Sequence, residues 1–303
     1  MPGVRRWFLA FLMSLCLGAA PPRAPAGAST LFLPLAFKAA PVLVGAGDIA
    51  DCKGGGDEAT AALLDGIAGT VVALGDNAYD TGSAAEFANC YDPSWGRFRA
   101  RTRPAAGNHD YMTPGAAAYF NYFGAAAGDP ATGYYSYDLG AWHIIVLNSN
   151  CLYVGGCGAG SAQEQWLRAD LAAHPALCTL AYWHHPLFSS ALHGGEASMR
   201  AVWQALVEAG AEVVLNGHDH TYERFAPQSP YGAADPAQGL REFVVGTGGR
   251  SHYPFFAPAA NSQVRNGDTF GVLALTLRPS GYDWRFVPEA GKTFEDAGSA
   301  ACH

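Results

Sequence analysis

Five times along this sequence an apolar, strand-like run stops and an Asp, Asn or His follows at once. The runs lead into Asp48, into Asp76 with Tyr79, into Asn108 with His109, into His184, and into His218 with His220. In an open α/β sheet, such strand ends face the crevice where the chemistry is kept, so the five are expected to converge at one edge. Gly75-Asp76-Asn77-Ala78-Tyr79 is the central member. The Asp lies just past the apolar run Thr70–Leu74, and its two oxygens can each hold a separate cation. Tyr79 can add a hard phenolate to one of them. Taken singly, Gly-Asp-Asn is ordinary turn chemistry, and its weight comes from the other four segments.

The intervening pattern is that of an α/β fold. Residues 41–48 read as a buried strand, 57–67 as a helix and Thr70–Leu74 as the next strand, the order of a parallel sheet. Residues 135–137 and 142–147 read as paired strands, and 161–174 as an amphipathic helix with Ser161 at its N-cap and Glu164 completing a capping box. Strands over 178–183 and 212–215 lead into His184 and His218, with a helix over 198–210 between them that glycine closes. Beyond this the pattern is mostly strand. Aromatic residues gather from Tyr111 to Tyr137, which suits a rim beside the site or plain core packing. The sum is two sheets face to face with helices outside, in one domain over 41–295, and a short tail over 296–303.

Composition limits the partners. The net charge is -8, and no Lys/Arg cluster follows the N-terminus, so neither a nucleic-acid surface nor an anionic-membrane surface is expected. Residues 1–29 have the layout of an export signal: Arg5 and Arg6, an apolar run over 7–17, then the small residues Ala26-Gly27-Ala28. That run is shorter than the roughly 20 residues a spanning helix needs, so no stable membrane anchor is expected. Residues 30–40 read as a linker. The mature protein is expected outside the cytoplasm, extracellular or periplasmic. Loss of Cys16 with the signal leaves six cysteines, an even number that suggests disulfides in an exported chain. Cys151 and Cys157 bracket a Gly-rich loop and should pair; Cys52 with Cys90 and Cys178 with Cys302 are the remaining pairings adopted.

Two cations a few Å apart need roughly seven side-chain donors with one bridging carboxylate, and the five strand ends supply that number. His218-Asp219-His220 alternates like an extended segment, so both imidazoles can face one side. Gly107 and Gly217 leave the backbone room to turn where ligands must converge. A lone His at any of these places would more often be a core or surface histidine. The coincidence of all five is what argues for a metal centre.

As a set, Asp48-Ile49-Ala50, Gly75-Asp76-Asn77-Ala78-Tyr79, Gly107-Asn108-His109-Asp110, Ala181-Tyr182-Trp183-His184 and Gly217-His218-Asp219-His220 resemble the five ordered motifs of the calcineurin-like metallophosphoesterases. Within that superfamily the chain is similar to the small purple acid phosphatases. The resemblance implies a four-layer α/β/β/α sandwich with a dinuclear centre. Many relatives carry a His two residues after the first Asp; here Ala50 stands there, and Tyr79 supplies the missing donor, as in the purple enzymes. Ala50 and Ala181 replace the family's usual Gly and Val without removing a ligand.

On this resemblance Asp48, Asp76, Tyr79 and His220 would hold Fe(III), and Asp76, Asn108, His184 and His218 would hold Fe(II), Zn or Mn. A ferric ion should acidify its water further than a divalent ion does, giving a hydroxide in acid that attacks phosphorus in line. His109 and His193 would do the acid work, worth on the order of a hundredfold or more. Asp110 would orient His109. Asn108, His109, His193 and His185 would face the substrate. Gly246 to Arg250 follows a strand and reads as a Gly-rich turn whose amides could also touch a phosphate. The expected function is hydrolysis of small phosphate monoesters by a secreted enzyme. A phosphodiesterase on the same metals and a silent phosphate- or metal-binding protein are the alternatives, and the oligomeric state is left open.

Overall fold

The computed structural model describes residues 39–303 together with Pro2 and Gly3, so the expected export signal and most of the linker lie outside the described residues. Val42–Ala46 and Thr70–Leu74 carry almost no polar side chain, and strands of that kind are stable only when both faces are covered. They pair in parallel, Val44 opposite Val71, in the interior of a six-stranded sheet. Its order is Ala297–Ala301, Gly281–Pro288, Gly271–Arg278, Val42–Ala46, Thr70–Leu74, Thr102–Ala105. The second sheet has seven strands, in the order Ser262–Asn266, Tyr222–Phe225, Arg241–Val245, Val213–Asn216, Cys178–Tyr182, Trp142–Val146, Tyr135–Leu139. Its four central strands are parallel, and antiparallel pairs close both edges.

Side chains of the second sheet alternate between two cores, as the two-residue strand period requires. Ile144, Leu180, Leu215 and Phe243 share a core with Leu43, Val72 and Leu273, which lie on the face of the first sheet whose neighbours Phe286 and Trp284 meet Tyr222 and Phe243 of the second. Ile145, Ala181 and Val214 point the other way, onto Leu167, Val202 and Leu206 of the helices Ala162–Ala173 and Arg200–Glu208. The helix Gly56–Asp65 covers the first sheet through Ala61 and Leu64. The result is the α/β/β/α sandwich that the sequence led one to expect. It sets the C-terminal ends of the parallel strands of both sheets at the same edge.

Several local expectations need correction. The tail over 296–303 is instead an edge strand, Ala297–Ala301, paired antiparallel with Gly281–Pro288, so the domain runs past 295. Its small residues show no apolar period, yet smallness is what the pairing needs: a Cβ on Gly298 would lie 2.3 Å from the Trp284 ring. Thr102–Ala105, the run that leads to Asn108, is an edge strand, where a sheet tolerates its Pro104. Ser161 does cap its helix by accepting from Glu164 N, but the Glu164 carboxylate accepts from Gly160 N, so the capping box is not closed. Of the two readings of the aromatic cluster, core packing holds for Tyr111, Tyr119, Phe120 and Phe123, which are buried. Among the described residues no helix is long and apolar enough to cross a membrane.

Disulfides join Cys52 to Cys90, Cys151 to Cys157 and Cys178 to Cys302, with sequence separations of 38, 6 and 124. Loop-closure entropy grows with the logarithm of the closed length, which makes the long Cys178–Cys302 link worth about 5 kcal/mol and the short Cys151–Cys157 link about 2. Replacing both cysteines of each pair by Ser should therefore lower the unfolding free energy about twice as much for Cys178–Cys302. Denaturant titration of the two double variants checks this, and equal losses would contradict it.

Candidate metal centre

Asp48, Asp76 and His218 sit in left-handed backbone conformation, with φ of 60°, 51° and 73°. Such a conformation is sparsely populated by residues with a side chain and costs about 1–3 kcal/mol at each site. Three of the expected ligands share it, because each must turn sharply off its strand end to face the same point. Gly107 and Gly217 make the convergence sterically feasible: a Cβ on either would lie 2.1 Å from Asp76 Oδ1 or 2.7 Å from Asp48 Oδ2.

Four donors meet around Tyr79. Its Oη is 2.8 Å from Asp48 Oδ1, 2.9 Å from Asp76 Oδ2 and 3.2 Å from His220 Nε2. On the other side of Asp76, His184 Nε2 is 3.3 Å from Oδ2, and His218 Nδ1 is 3.3 Å from His184 Nε2. Asn108 Oδ1 is buried without a hydrogen-bond partner, an arrangement that calls for a ligand to complete it. The expectation of one Asp76 oxygen per cation is corrected here. Oδ2 faces both donor groups, while Oδ1 accepts from His109 N at 2.7 Å.

The far nitrogens of the imidazoles are fixed in the way metal-binding histidines are usually fixed. His184 Nδ1 donates to Leu74 O at 2.8 Å, which leaves Nε2 as the nitrogen that faces Asp76. His220 Nδ1 lies 2.7 Å from Ser251 Oγ, and the ring stacks on Tyr253 with centroids 3.9 Å apart. Neither Ser251 nor Tyr253 was singled out from sequence. Arg250, also passed over, sits 5.0 Å from the centre of the Tyr79 ring and pairs with Asp51 and Asp80. Three amides of the Gly246 to Arg250 turn are already used within the fold, since Gly246 N, Gly248 N and Arg250 N donate to Thr221 O, Gly47 O and Asp48 O.

Electrostatics favour cations here. Burial, reinforced by the Asp48 and Asp76 carboxylates, drives the Tyr79 phenol well above its usual range. Burial alone would raise Asp76 too, but His184 and His109 hold it below the ordinary carboxylate range. Burial works against charge on His184, and Asp76 overrides it, raising the imidazole to about 9. Burial with the neighbouring His184 pushes His185 down to about 3 and His218 well below the imidazole range. Protons on Tyr79 and His184 thus stand where positive charge is wanted. A metal ion supplies that charge more strongly.

The remaining expected residues lie round this point. His109 Nε2 is 3.9 Å from Asp76 Oδ2, with Nδ1 on Asp80 O at 2.5 Å. The His193 ring is 4.6 Å from that of His218, and its backbone N–H donates to the buried Asp219 at 2.9 Å. His185 Nδ1 is 2.7 Å from Ser149 Oγ, and His185 lines a cavity of about 360 Å³ with Asn108. Asp110 is the clear exception. It accepts from Gly107 N at 2.8 Å and Asn77 Nδ2 at 2.9 Å and does not touch the His109 ring, so it braces two ligand loops and orients no imidazole.

The sequence profile of the calcineurin-like phosphoesterases matches residues 42–222, so the chain belongs to that family. It is 34% identical over 129 residues to purple acid phosphatase 15 of Arabidopsis thaliana, an alignment covering 41% of this chain and 23% of that protein. The chain spans about a quarter of the length of the curated relatives it matches. Its fold is that of a purple acid phosphatase from yellow lupin (Lupinus luteus) seeds, with a TM-score of 0.70, 18% identity, and coverage of 87% of this chain and 54% of that one. GAP50, the anchor in the inner membrane complex of Plasmodium, is similar in fold at a TM-score of 0.68 and 13% identity, covering 88% and 90%.

Burial and the facing Asp76 push the Asp110 carboxyl up to about 7, above its unfolded range near 4. The folded state then holds a proton that the unfolded chain has lost, so this carboxyl's contribution to stability falls as pH rises through about 4 to 7 and is constant above. In chelator-treated protein, Asp110→Asn should flatten that slope. An unchanged slope in urea titrations from pH 4 to 8 would contradict it.

Proposed function

We propose that this chain is an exported phosphoric-ester hydrolase of the purple acid phosphatase type, acting on small phosphate monoesters. The observation that carries the reading is Tyr79 Oη set 2.8–3.2 Å from Asp48, Asp76 and His220, which builds an oxygen-rich, hard donor set suited to Fe(III). Asp48, Asp76, Tyr79 and His220 would hold that ion; Asp76, Asn108, His184 and His218 would hold Fe(II), Zn or Mn. Members of the family use two metal ions. When bound, such a pair supplies Lewis acidity toward the phosphoryl oxygens and an acidified water.

The chain's own residues do the rest. Asp76 Oδ2, buried between two donor groups, keeps them in register. The His193 and His109 rings, on opposite flanks of the ligands, can hold a proton toward a leaving oxygen. Asp219 fixes the His193 backbone. His185 and Asn108, which line the adjoining cavity, would orient the ester. The three disulfides fit a protein that works in an oxidising compartment.

The test is turnover on an aryl phosphate monoester against an aryl phosphodiester, with Asp76→Ala as the blank. Preference for the monoester is expected; preference for the diester would move the function to a phosphodiesterase. His193→Ala should keep both metals and lose about a hundredfold or more in kcat, whereas Asp76→Ala should lose both metals. Equal metal loss in the two variants would contradict these roles. A visible phenolate-to-iron absorption band is expected from Tyr79 and should vanish in Tyr79→Phe; a colourless, fully loaded, active protein would remove the iron.

A further inference from the structure

At the opposite end of the second sheet lies another group of ligand-type side chains. His143 stands at the start of the strand Trp142–Val146, beside Thr179 of the parallel strand Cys178–Tyr182. His184 follows that strand's other end, so the two regions are separated by roughly 16 Å of strand at about 3.3 Å per residue. His143 Nε2 is 2.8 Å from Asp170 Oδ2, and its Nδ1 is 2.9 Å from Asp138 Oδ1. His174, the residue that ends the helix Ala162–Ala173, brings Nδ1 to 3.3 Å from Asp170 Oδ1, and its ring lies over that of His143 at 5.0 Å. Ser136 Oγ donates to Asp170 Oδ1 at 2.8 Å. Ligand atoms of His143, Asp170 and His174 all fall within 4.8 Å of one another.

We propose that His143, Asp170 and His174 form a further cation site, separate from the dinuclear centre, that takes a divalent ion of the zinc class. Two imidazole nitrogens and one carboxylate oxygen are a donor set that tetrahedral Zn²⁺ accepts, with a water in the fourth position. Asp138 is placed as the outer carboxylate that fixes the tautomer and angle of a metal-bound His. Asp138 and Asp170 face the two nitrogens of His143, and carboxylates only accept, so each nitrogen brings an N–H there. A cation takes the place of the Nε2 proton, which leaves to solvent, while Nδ1–H stays on Asp138. Binding would tie the C-terminal end of the helix Ala162–Ala173 to the sheet. The rival arrangement is an imidazolium held between two carboxylates with no metal at all.

The experiment starts from protein whose dinuclear centre is already loaded and titrates it with Zn²⁺ by calorimetry in two buffers of different ionisation enthalpy. Co²⁺ in place of Zn²⁺ reports geometry by its visible absorption. Wild type should take up one further equivalent with release of a proton, and with Co²⁺ should show the strong absorption of a tetrahedral site. His174→Ala and Asp138→Asn should each weaken binding about 10- to 100-fold. Both positions are solvent-exposed, with His174 at 49% and Asp138 at 71%, so the variants should fold as wild type does, checked by circular dichroism. No uptake beyond the loaded centre, or equal affinity in wild type and both variants, overturns the site. Neither result bears on the dinuclear centre.

Discussion

The structure depends on how one carboxylate is held. Asp76 is buried, leaves its strand in a left-handed turn, and has one oxygen occupied by the His109 backbone N–H. That bond turns the second oxygen toward both donor groups, within 2.9 Å of Tyr79 and 3.3 Å of His184. Glycine is needed at 107 because any side chain there would occupy the place of the anchored oxygen. The strand, the turn and the neighbouring loop therefore constrain a single atom. Everything assigned to the centre is measured from it.

Holding that atom has a cost, which the sandwich offsets. Three left-handed turns, buried carboxylates and imidazoles of opposed protonation would unfold a small domain. Here two sheets and their helices bury an apolar core on three levels, and the strand ends that bear ligands are extensions of its most buried strands. Asp110 shows the same division of labour. Its carboxyl ties the Asn77 and Gly107 loops together, and those loops carry the neighbouring Asp76 and Asn108.

The candidate ligand residues were legible because their segments follow closely on apolar runs, and such runs advertise both a strand and its end. The sandwich followed from the same runs. What sequence could not show is what reaches the site from elsewhere in the chain. Ser251, Tyr253 and Ser149 touch His220 or His185 from loops whose position is set by long-range packing. Arg250 had the right signal, since it too lies just past a strand, but its Gly-rich surroundings read as a turn. Asp110 was misjudged because adjacency to His109 in sequence suggested a partner, whereas the backbone between them turns the carboxylate away toward Gly107. The edge strand at the C-terminus escaped notice because alanine, glycine and serine carry no hydrophobic period.

The most direct measurement is anomalous diffraction from crystals of the protein as purified, collected on both sides of the iron and zinc absorption edges. Two peaks should appear, both at ligand distance from the same Asp76 oxygen, with iron in the one beside Tyr79. A single peak, a pair that does not share Asp76, or iron away from Tyr79 would contradict the assignment of the centre.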